Sequence, residues 1–414
     1  MSKNSSKVIN LGCRLNFFES EVIEDILSKE KLKNKIVINT CAVTNQAVQS
    51  SIREIKKAAK KFPNHEIIVT GCASQVERKN FENINHISKI IDNKFKTLAN
   101  SYKENLNNED SLEYKFPKLP KYSKNRTRAM LQIQQGCNHR CTFCIIPFGR
   151  GDSLSLPISE ISKRIEKILD QGYKEITLTG VDLTSYGEDL QGKPKIGNVL
   201  KRLFKYHKNL ERLRLSSIDP AEVDDDLLDI FKSEKRLMPH IHFSLQSGDN
   251  LILKRMKRRH NREKVIELCE NLRSNRPELT FGADLIVGFP TETYESFKNS
   301  LNLIEECKFS NVHIFPFSPK KGTPASRMPQ IEKKIINSRI EEARALCRKI
   351  LKKLMTKKIG EEVNVLCESN NKSYTDDFYR VEIKNSEQNN IKRVGQVSKV
   401  KLIGINNDFF LGDF

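Results

Sequence analysis

Cys137, Cys141 and Cys144 stand within nine residues, GCNHRCTFC, in a C-x3-C-x2-C spacing with no fourth cysteine nearby. A structural zinc site takes four protein ligands, and no further Cys or His falls at finger-like distance. An iron–sulfur cube usually takes four thiolates. Three thiolates leave one iron open, and an open metal position is where a cofactor binds, as a catalytic zinc keeps one place for water. His139, inside the motif, reads as a supporting or surface residue. A second trio is Cys13, Cys41 and Cys72, each directly after an apolar run: KVINLGC, KIVINTC and HEIIVTGC. As three small buried hydrophobes they would have no reason to share one point of a repeat.

The elements around the trio supply that reason. The three runs read as strands, and NFFESEVIEDILSKE and TNQAVQSSIREIKKAAKKF between them read as helices, the first capped by Asn16 and the second beginning near Thr44. Strand, helix, strand, helix, strand implies a doubly wound parallel α/β domain over residues 1–100. Parallel strands end on one edge, where such folds bind ligands, so Cys13, Cys41 and Cys72 converge there as one metal site. Residues 101–128 are polar and read as a linker. From 129 to 330 six strand-like runs alternate with helical ones: AMLQIQQ, EITLTG, ERLRLSS, HIHFSLQ, LTFGADLIVG and NVHIFPF. These make a (β/α)6 part-barrel, with its active face at the C-terminal strand ends. Residues 331–358 form a basic connecting helix, and 359–414 a small all-β module of a kind that often binds nucleic acid.

Composition narrows the setting. The 414 residues exceed what one core holds, so at least two domains are expected. No run reaches the ~20 apolar residues of a membrane helix, and the N-terminus lacks a secretory core. Ten cysteines then imply a reducing compartment, the cytoplasm, where metal binding is favoured over disulfides. Net charge is +20, and LKRMKRRHNREK (253–264) concentrates basic residues, so a polyanionic partner is expected. Lys254, Arg255, Lys257, Arg258 and Arg259 are its candidate RNA contacts.

The C-x3-C-x2-C word after the first strand of a part-barrel resembles the signature of radical S-adenosylmethionine (SAM) enzymes. The resemblance implies a 4Fe–4S cluster on Cys137, Cys141 and Cys144, the catalytic trio, with SAM chelating the open iron and cleaved to methionine and a 5′-deoxyadenosyl radical. It places Phe143 near the adenine, Gly180 of LTG near the SAM amino group, Ser244 and Gln246 of FSLQSGD near the ribose, and Ile286 and Gly288 of GADLIVGF by the adenine. Together with the N-terminal trio and the C-terminal module, nearly the whole chain resembles the methylthiotransferases. In that family Cys13, Cys41 and Cys72 would hold a second 4Fe–4S cluster and the terminal module, TRAM-like, would bind RNA. The words NLGCRLNFFESE, NTCAVTNQAVQSSIR, LTGVDLTSYG and FPFSPKKGTPASRM resemble the branch acting on N6-threonylcarbamoyladenosine in tRNA. Sister branches act on isopentenyladenosine tRNA or a ribosomal protein. The resemblance implies a tRNA substrate, a reducing electron donor and a monomer. Arg14, Thr184 and Ser185 are candidate partners for the polar threonylcarbamoyl group. Asp182 and Asp284 read equally as ligand contacts or structural residues, and Cys269, Cys307, Cys347 and Cys367 as packing residues.

Overall fold

In the computed structural model, the described residues are 5–103, 114–122, 127–368, 372–384 and 393–414. Strands β1 (Lys7–Asn10), β2 (Lys35–Thr40), β3 (Glu66–Gly71) and β4 (Lys89–Ile90) form a parallel sheet in that order. Side chains alternate faces along a strand, and both faces are apolar. Ile36, Ile38, Ile67 and Val69 pack on Val48, Ile55 and Ala58 of helix α2 (Asn45–Lys61). Val37 and Ile68 pack instead with Ile23 and Leu27 of α1 (Arg14–Lys29). Thr44 caps α2, its Oγ1 accepting from Ala47 N at 3.1 Å. The expected cap of α1 is corrected: the helix starts at Arg14 with Cys13 at the cap position, and Asn16 lies buried inside it. The Asn16 amide is drawn inward because it donates to Thr40 O at 2.9 Å, tying α1 to the end of β2.

The central unit is an open part-barrel of parallel strands. They are β5 (Arg128–Gln132), β6 (Glu175–Thr179), β7 (Arg212–Leu215, resuming as Ser217–Ile218), β8 (His240–Gln246), β9 (Thr280–Val287) and β10 (Asn311–Pro316). Phe243, Leu245, Phe281, Ala283 and Leu285 face outward onto helices α3 (Arg262–Asn275) and α4 (Tyr294–Glu306). Their strand neighbours His242, Ser244, Asp284 and Ile286 therefore face the lumen.

Helix α5 (Lys333–Thr356) leads to a closed barrel of β11 (Glu362–Leu366), β12 (Lys372–Thr375), β13 (Arg380–Ile383), β14 (Val397–Asn406) and β15 (Phe409–Asp413). Val365, Val381, Val400, Leu402 and Phe410 fill it. The turn between β12 and β13 closes the lower, N-terminal end of the part-barrel. Arg214 donates to Asp376 O at 2.9 Å and Thr375 O at 3.1 Å, Thr280 Oγ1 donates to Asp377 O at 2.7 Å, and Phe378 stacks on His240 with centroids 4.9 Å apart. Above this plug the buried Glu175 carboxylate accepts from Arg212 Nε at 2.9 Å and Arg214 Nε at 2.8 Å. Burial alone would raise its pKa, but Arg214, Arg128 and Arg212 outweigh it and hold the group at about 2.

Glu175→Gln should therefore strand buried guanidinium charge and lower stability by about 3–5 kcal/mol, read by denaturant unfolding. Because the folded pKa is depressed, the Glu175 contribution is complete above the ordinary Glu pKa of about 4.3. It should fade as pH falls towards 2, and the variant should lack that component of the acid transition.

Candidate active site

Cys13 precedes α1, Cys41 follows β2 and Cys72 opens a short helix (Cys72–Val76) after β3, so all three stand on one sheet edge. Close backbone approach brings them there. Gly71 has φ +102°, and a Cβ on it would lie 2.4 Å from Thr40 N and O. The ends of β2 and β3 thus abut, reinforced by Thr40 Oγ1, which donates to Thr70 O at 2.7 Å. Burial pushes the Cys41 thiol up to about 11, and the Cys13 and Cys72 sulfurs add to the shift, so the three lie within one another's field. Exposure falls from Cys13, open to solvent, through Cys41 to the buried Cys72. Three soft sulfurs at one edge, with one side open, suit an iron–sulfur cube with a free iron. Metal binding would displace the proton of Cys41, whose thiol burial otherwise keeps neutral.

The segment that follows Cys144 packs against the N-terminal trio. Asn93 Nδ2 donates to Gly149 O at 2.6 Å and lies 3.6 Å from Cys72 Sγ. Arg150, next in the chain, is buried and lies 2.9 Å from the Glu19 carboxylate of α1. Lys96 reaches the same carboxylate at 2.6 Å. Burial would raise the Glu19 pKa, but Arg150 and Lys96 reverse it and hold the carboxylate below its usual range. A further bridge joins Lys320 to Glu77 at 3.0 Å.

Gly136 (φ +70°) begins the C-x3-C-x2-C loop, and a Cβ there would overlap Asp152 O. The loop is pinned by Cys137 N to Gly151 O at 3.1 Å, Thr142 N to Met256 O at 3.1 Å and Ala325 N to Thr142 O at 2.9 Å. Burial pushes the Cys137 thiol up to about 12, with the Asp182 charge adding, and the Cys144 thiol to about 11. Arg258 Nη1 lies 3.8 Å from Cys141 Sγ, a cation beside a prospective thiolate. His139 is no bare surface residue. Its Nε2 lies 2.9 Å from Asp182 and 3.5 Å from Glu222, and hydrogen bonds to these carboxylates raise it to about 10. Three sulfurs, again without a fourth cysteine among the described residues, fit a cube with one free iron.

The strand-end residues gather above the lumen. Phe143 and Ile286 join Met256, Phe289 and Phe317 in one apolar cluster. Gly180 lies against Gln134, where a Cβ would come within 2.8 Å, and Gln134 Oε1 accepts from Val181 N and Asp182 N at 2.8 Å. Ser244 Oγ donates to Ile218 O at 3.3 Å, Gln246 takes a left-handed φ of +71°, and Gly288 (φ +80°) lies under Ile336.

The basic run divides. Arg258 turns inward to Asp219 at 2.9 Å and Ser244 O at 2.7 Å, and Arg255 donates to Thr291 Oγ1 at 2.6 Å. Arg259, although exposed, pairs with Glu222. Lys254 and Lys257 are exposed, with no ion pair among the described residues. Thr184 and Ser185 are buried and bound to Asp182, at 3.0 Å and 2.9 Å, which withdraws them from the lumen. Cys269, Cys307 and Cys367 are buried and Cys347 half-buried, as packing residues are.

Sequence reasoning passed over Glu19, Lys96 and Arg150, whose pairing across 131 residues leaves no local signal. It also passed over the exposed basic face of α2, Arg53, Lys56, Lys57, Lys60 and Lys61, which was legible in the i, i+3, i+4 spacing of REIKKAAKK. His242, Asp284 and His313 lie together on the lumen wall, all three ligand atoms within 4.8 Å.

Comparison with known proteins agrees with this arrangement. Residues 131–304 match the radical SAM superfamily, and residues 6–92 match the uncharacterized protein family UPF0004. The chain is 42% identical over 408 residues to the threonylcarbamoyladenosine tRNA methylthiotransferase MtaB of Rickettsia prowazekii, covering 97% of this chain and 96% of that protein. It is 32% identical to the tRNA-2-methylthio-N(6)-dimethylallyladenosine synthase of Ehrlichia canis, over 86% of each. Among solved structures, the radical SAM methyltransferase TsrM of Kitasatospora setae superposes with a TM-score of 0.57 at 13% identity, covering 79% of this chain and 77% of that one, a likeness of fold. With two cysteine trios on facing strand edges and a full-length relative of this identity, the chain belongs to the radical SAM methylthiotransferase family.

Proposed function

We propose that this protein adds a methylthio group at C2 of N6-threonylcarbamoyladenosine, next to the anticodon of tRNA, using two 4Fe–4S clusters and SAM. The observation that carries the reading is the pair of three-cysteine sites held on one rigid frame by the Glu19–Lys96–Arg150 ion cluster. Bound there, the clusters and SAM supply one-electron reduction, a carbon radical and a sulfur carrier. The protein's own residues do the rest. Cys137, Cys141 and Cys144 hold one cluster, and Cys13, Cys41 and Cys72 the other. Phe143, Ile286 and Gly288 give SAM's adenine an apolar slot, Gly180 leaves room for its amino group, and Ser244 and Gln246 face its ribose. Arg258, anchored on Asp219 at 2.9 Å, reaches Cys141 Sγ at 3.8 Å and so braces the cysteine loop against the fourth strand of the part-barrel.

For RNA, Lys254, Lys257 and Arg259, the basic face of α2 and the C-terminal barrel offer cationic surface to phosphates. A cytoplasmic monomer served by an external reductant completes the proposal. No helix among the described residues is long and apolar enough to cross a membrane.

Anaerobically reconstituted protein should hold about eight irons and eight sulfides. Replacing Cys137, Cys141 and Cys144 with Ala should halve the iron and abolish SAM cleavage, whereas replacing Cys13, Cys41 and Cys72 should halve it and leave SAM cleavage largely intact. Gly71→Ala, which drives a methyl into the end of β2, should mimic the second triple variant in iron content. Full iron in both N-terminal variants would remove the second cluster from the scheme.

Lys254→Ala with Lys257→Ala should weaken tRNA binding and reduce its salt slope by roughly 0.7–0.9 for each phosphate that the variant no longer neutralises. An unchanged slope moves the RNA surface to α2 and the terminal barrel.

In parallel anaerobic reactions, tRNA bearing N6-threonylcarbamoyladenosine should be methylthiolated and tRNA bearing isopentenyladenosine should not, as nucleoside mass spectrometry reads directly. A site that pairs polar groups rejects an apolar analogue by about 10⁴-fold or more. Equal turnover on both would overturn the substrate and leave the reaction class standing.

A further inference from the structure

The floor and one wall of the part-barrel lumen are densely charged, and one cation there has no ion pair among the described residues. Four arginines meet there: Arg14, Arg128, Arg212 and Arg214. Arg212 pairs with Glu175 and Asp376, Arg214 with Glu175, and Arg128 with Glu368. Arg14, which enters from the N-terminal domain directly after Cys13, has no carboxylate within 4 Å among the described residues. It is half-buried, its guanidinium lies 5.7 Å from the Phe378 ring centroid, and its charged neighbours are Arg128, Arg214 and Asp284. Two like charges and partial burial make a lone guanidinium costly unless an anion arrives.

The adjoining wall is polar as well. Asp284 Oδ1 lies 3.0 Å from His242 Nε2 and 3.2 Å from His313 Nδ1, and the two imidazoles are 5.0 Å apart. The His242 side chain is 8% exposed, Asp284 26% and His313 51%, so the wall opens towards solvent at His313. His242 stands two residues before Ser244, and Asp284 two before Ile286, on the same strand faces. The wall therefore lies one pleat, roughly 7 Å, below the strand ends proposed for SAM.

We infer that Arg14, with the His242–Asp284–His313 wall, binds the carboxylate-bearing side chain of the substrate nucleoside in the lumen. The inference rests on the substrate class proposed above. A carboxylate on an amino-acid-like arm meets a guanidinium that can grip it with two parallel hydrogen bonds. The hydroxyl and urea of that arm meet imidazoles whose orientation the shared Asp284 oxygen sets. Because Arg14 adjoins Cys13, an arm so held lies next to the N-terminal sulfur site. Two histidines and an aspartate can also ligate a divalent metal. Here Arg14, Arg128 and Arg214 oppose a further cation, and the shared Asp284 oxygen already accepts from both rings.

The test uses reconstituted full-length protein and anticodon stem-loop RNA, with dissociation constants from fluorescence anisotropy. Three RNAs differ only at the modified adenosine: the threonylcarbamoyl acid, its methyl ester and the isopentenyl form. Wild-type protein should favour the acid over the ester by roughly 10- to 100-fold, the range of a charge-assisted pairing in a desolvated site. Arg14→Gln should bring that ratio close to one, and Arg14→Lys should restore part of it. His313→Ala, at a half-exposed position that tolerates truncation, should reduce the preference for acid over isopentenyl RNA. Iron content and melting temperature report whether each variant folds.

Equal binding of acid and isopentenyl forms by wild-type protein would overturn the substrate assignment itself. A wild-type preference for the acid that survives intact in Arg14→Gln would overturn this inference alone. So would one equivalent of a non-iron divalent metal that His313→Ala releases.

Discussion

Glu19 has almost no contact with water, and its carboxylate carries two cations, Lys96 from its own domain and Arg150 from the next. Removing either cation would leave buried charge uncompensated, a penalty of several kcal/mol that no nearby solvent relieves. The relative placement of the two domains is therefore tightly constrained. Arg150 lies six residues after Cys144, and Glu19 six after Cys13, so the ion cluster ties together the segments that follow one cysteine of each trio. Radical chemistry needs substrate, SAM and sulfur in register, and a loose hinge at this point would forfeit that alignment.

The same frame explains how open coordination coexists with ordered ligands. Each trio stands where parallel strands end, the N-terminal one on three separate segments and Cys137, Cys141 and Cys144 on a single loop. Order comes from backbone contact. Gly71 and Gly136 admit approaches that any side chain would block, and Gln134 secures the 180–182 turn through two backbone amides. Electrostatics divides the labour further. Asp182 and Glu222 are satisfied by His139 and Arg259, whereas Arg258 pairs with Asp219 and reaches Cys141 Sγ at 3.8 Å.

The lower end of the part-barrel is shut by the terminal module, whose 375–378 turn binds Arg214, Thr280 and His240. A module expected to act on RNA thus also forms the floor of the lumen. Polar residues line that floor because the plug offers backbone carbonyls and a carboxylate rather than apolar side chains. The lumen is consequently suited to a polar guest.

Much of this was legible in the chain. Apolar runs placed the strands of both parallel units to within three residues, the two-residue β4 excepted, because burial on both faces writes a continuous apolar signature. The two cysteine trios were legible for the same reason: a parallel sheet converts the repeat position after a strand into a shared edge. The basic run at 253–264 shows where this reading ends. Charge counts from sequence cannot tell a solvent-facing lysine from an arginine folded back onto Asp219, since the acceptor lies 39 residues away. Asn16 likewise looked like a cap, and its partner at Thr40 exists only once β2 is in place. Glu19 with Arg150, Arg14 over Phe378, and His242 with His313 are meetings of residues from separate domains or separate strands. Sequence by itself determined the elements and the chemistry at their ends. Only the tertiary structure decided which charges are neutralised at home and which remain for a ligand, because pairing in a low-dielectric interior depends on distances that no local pattern encodes.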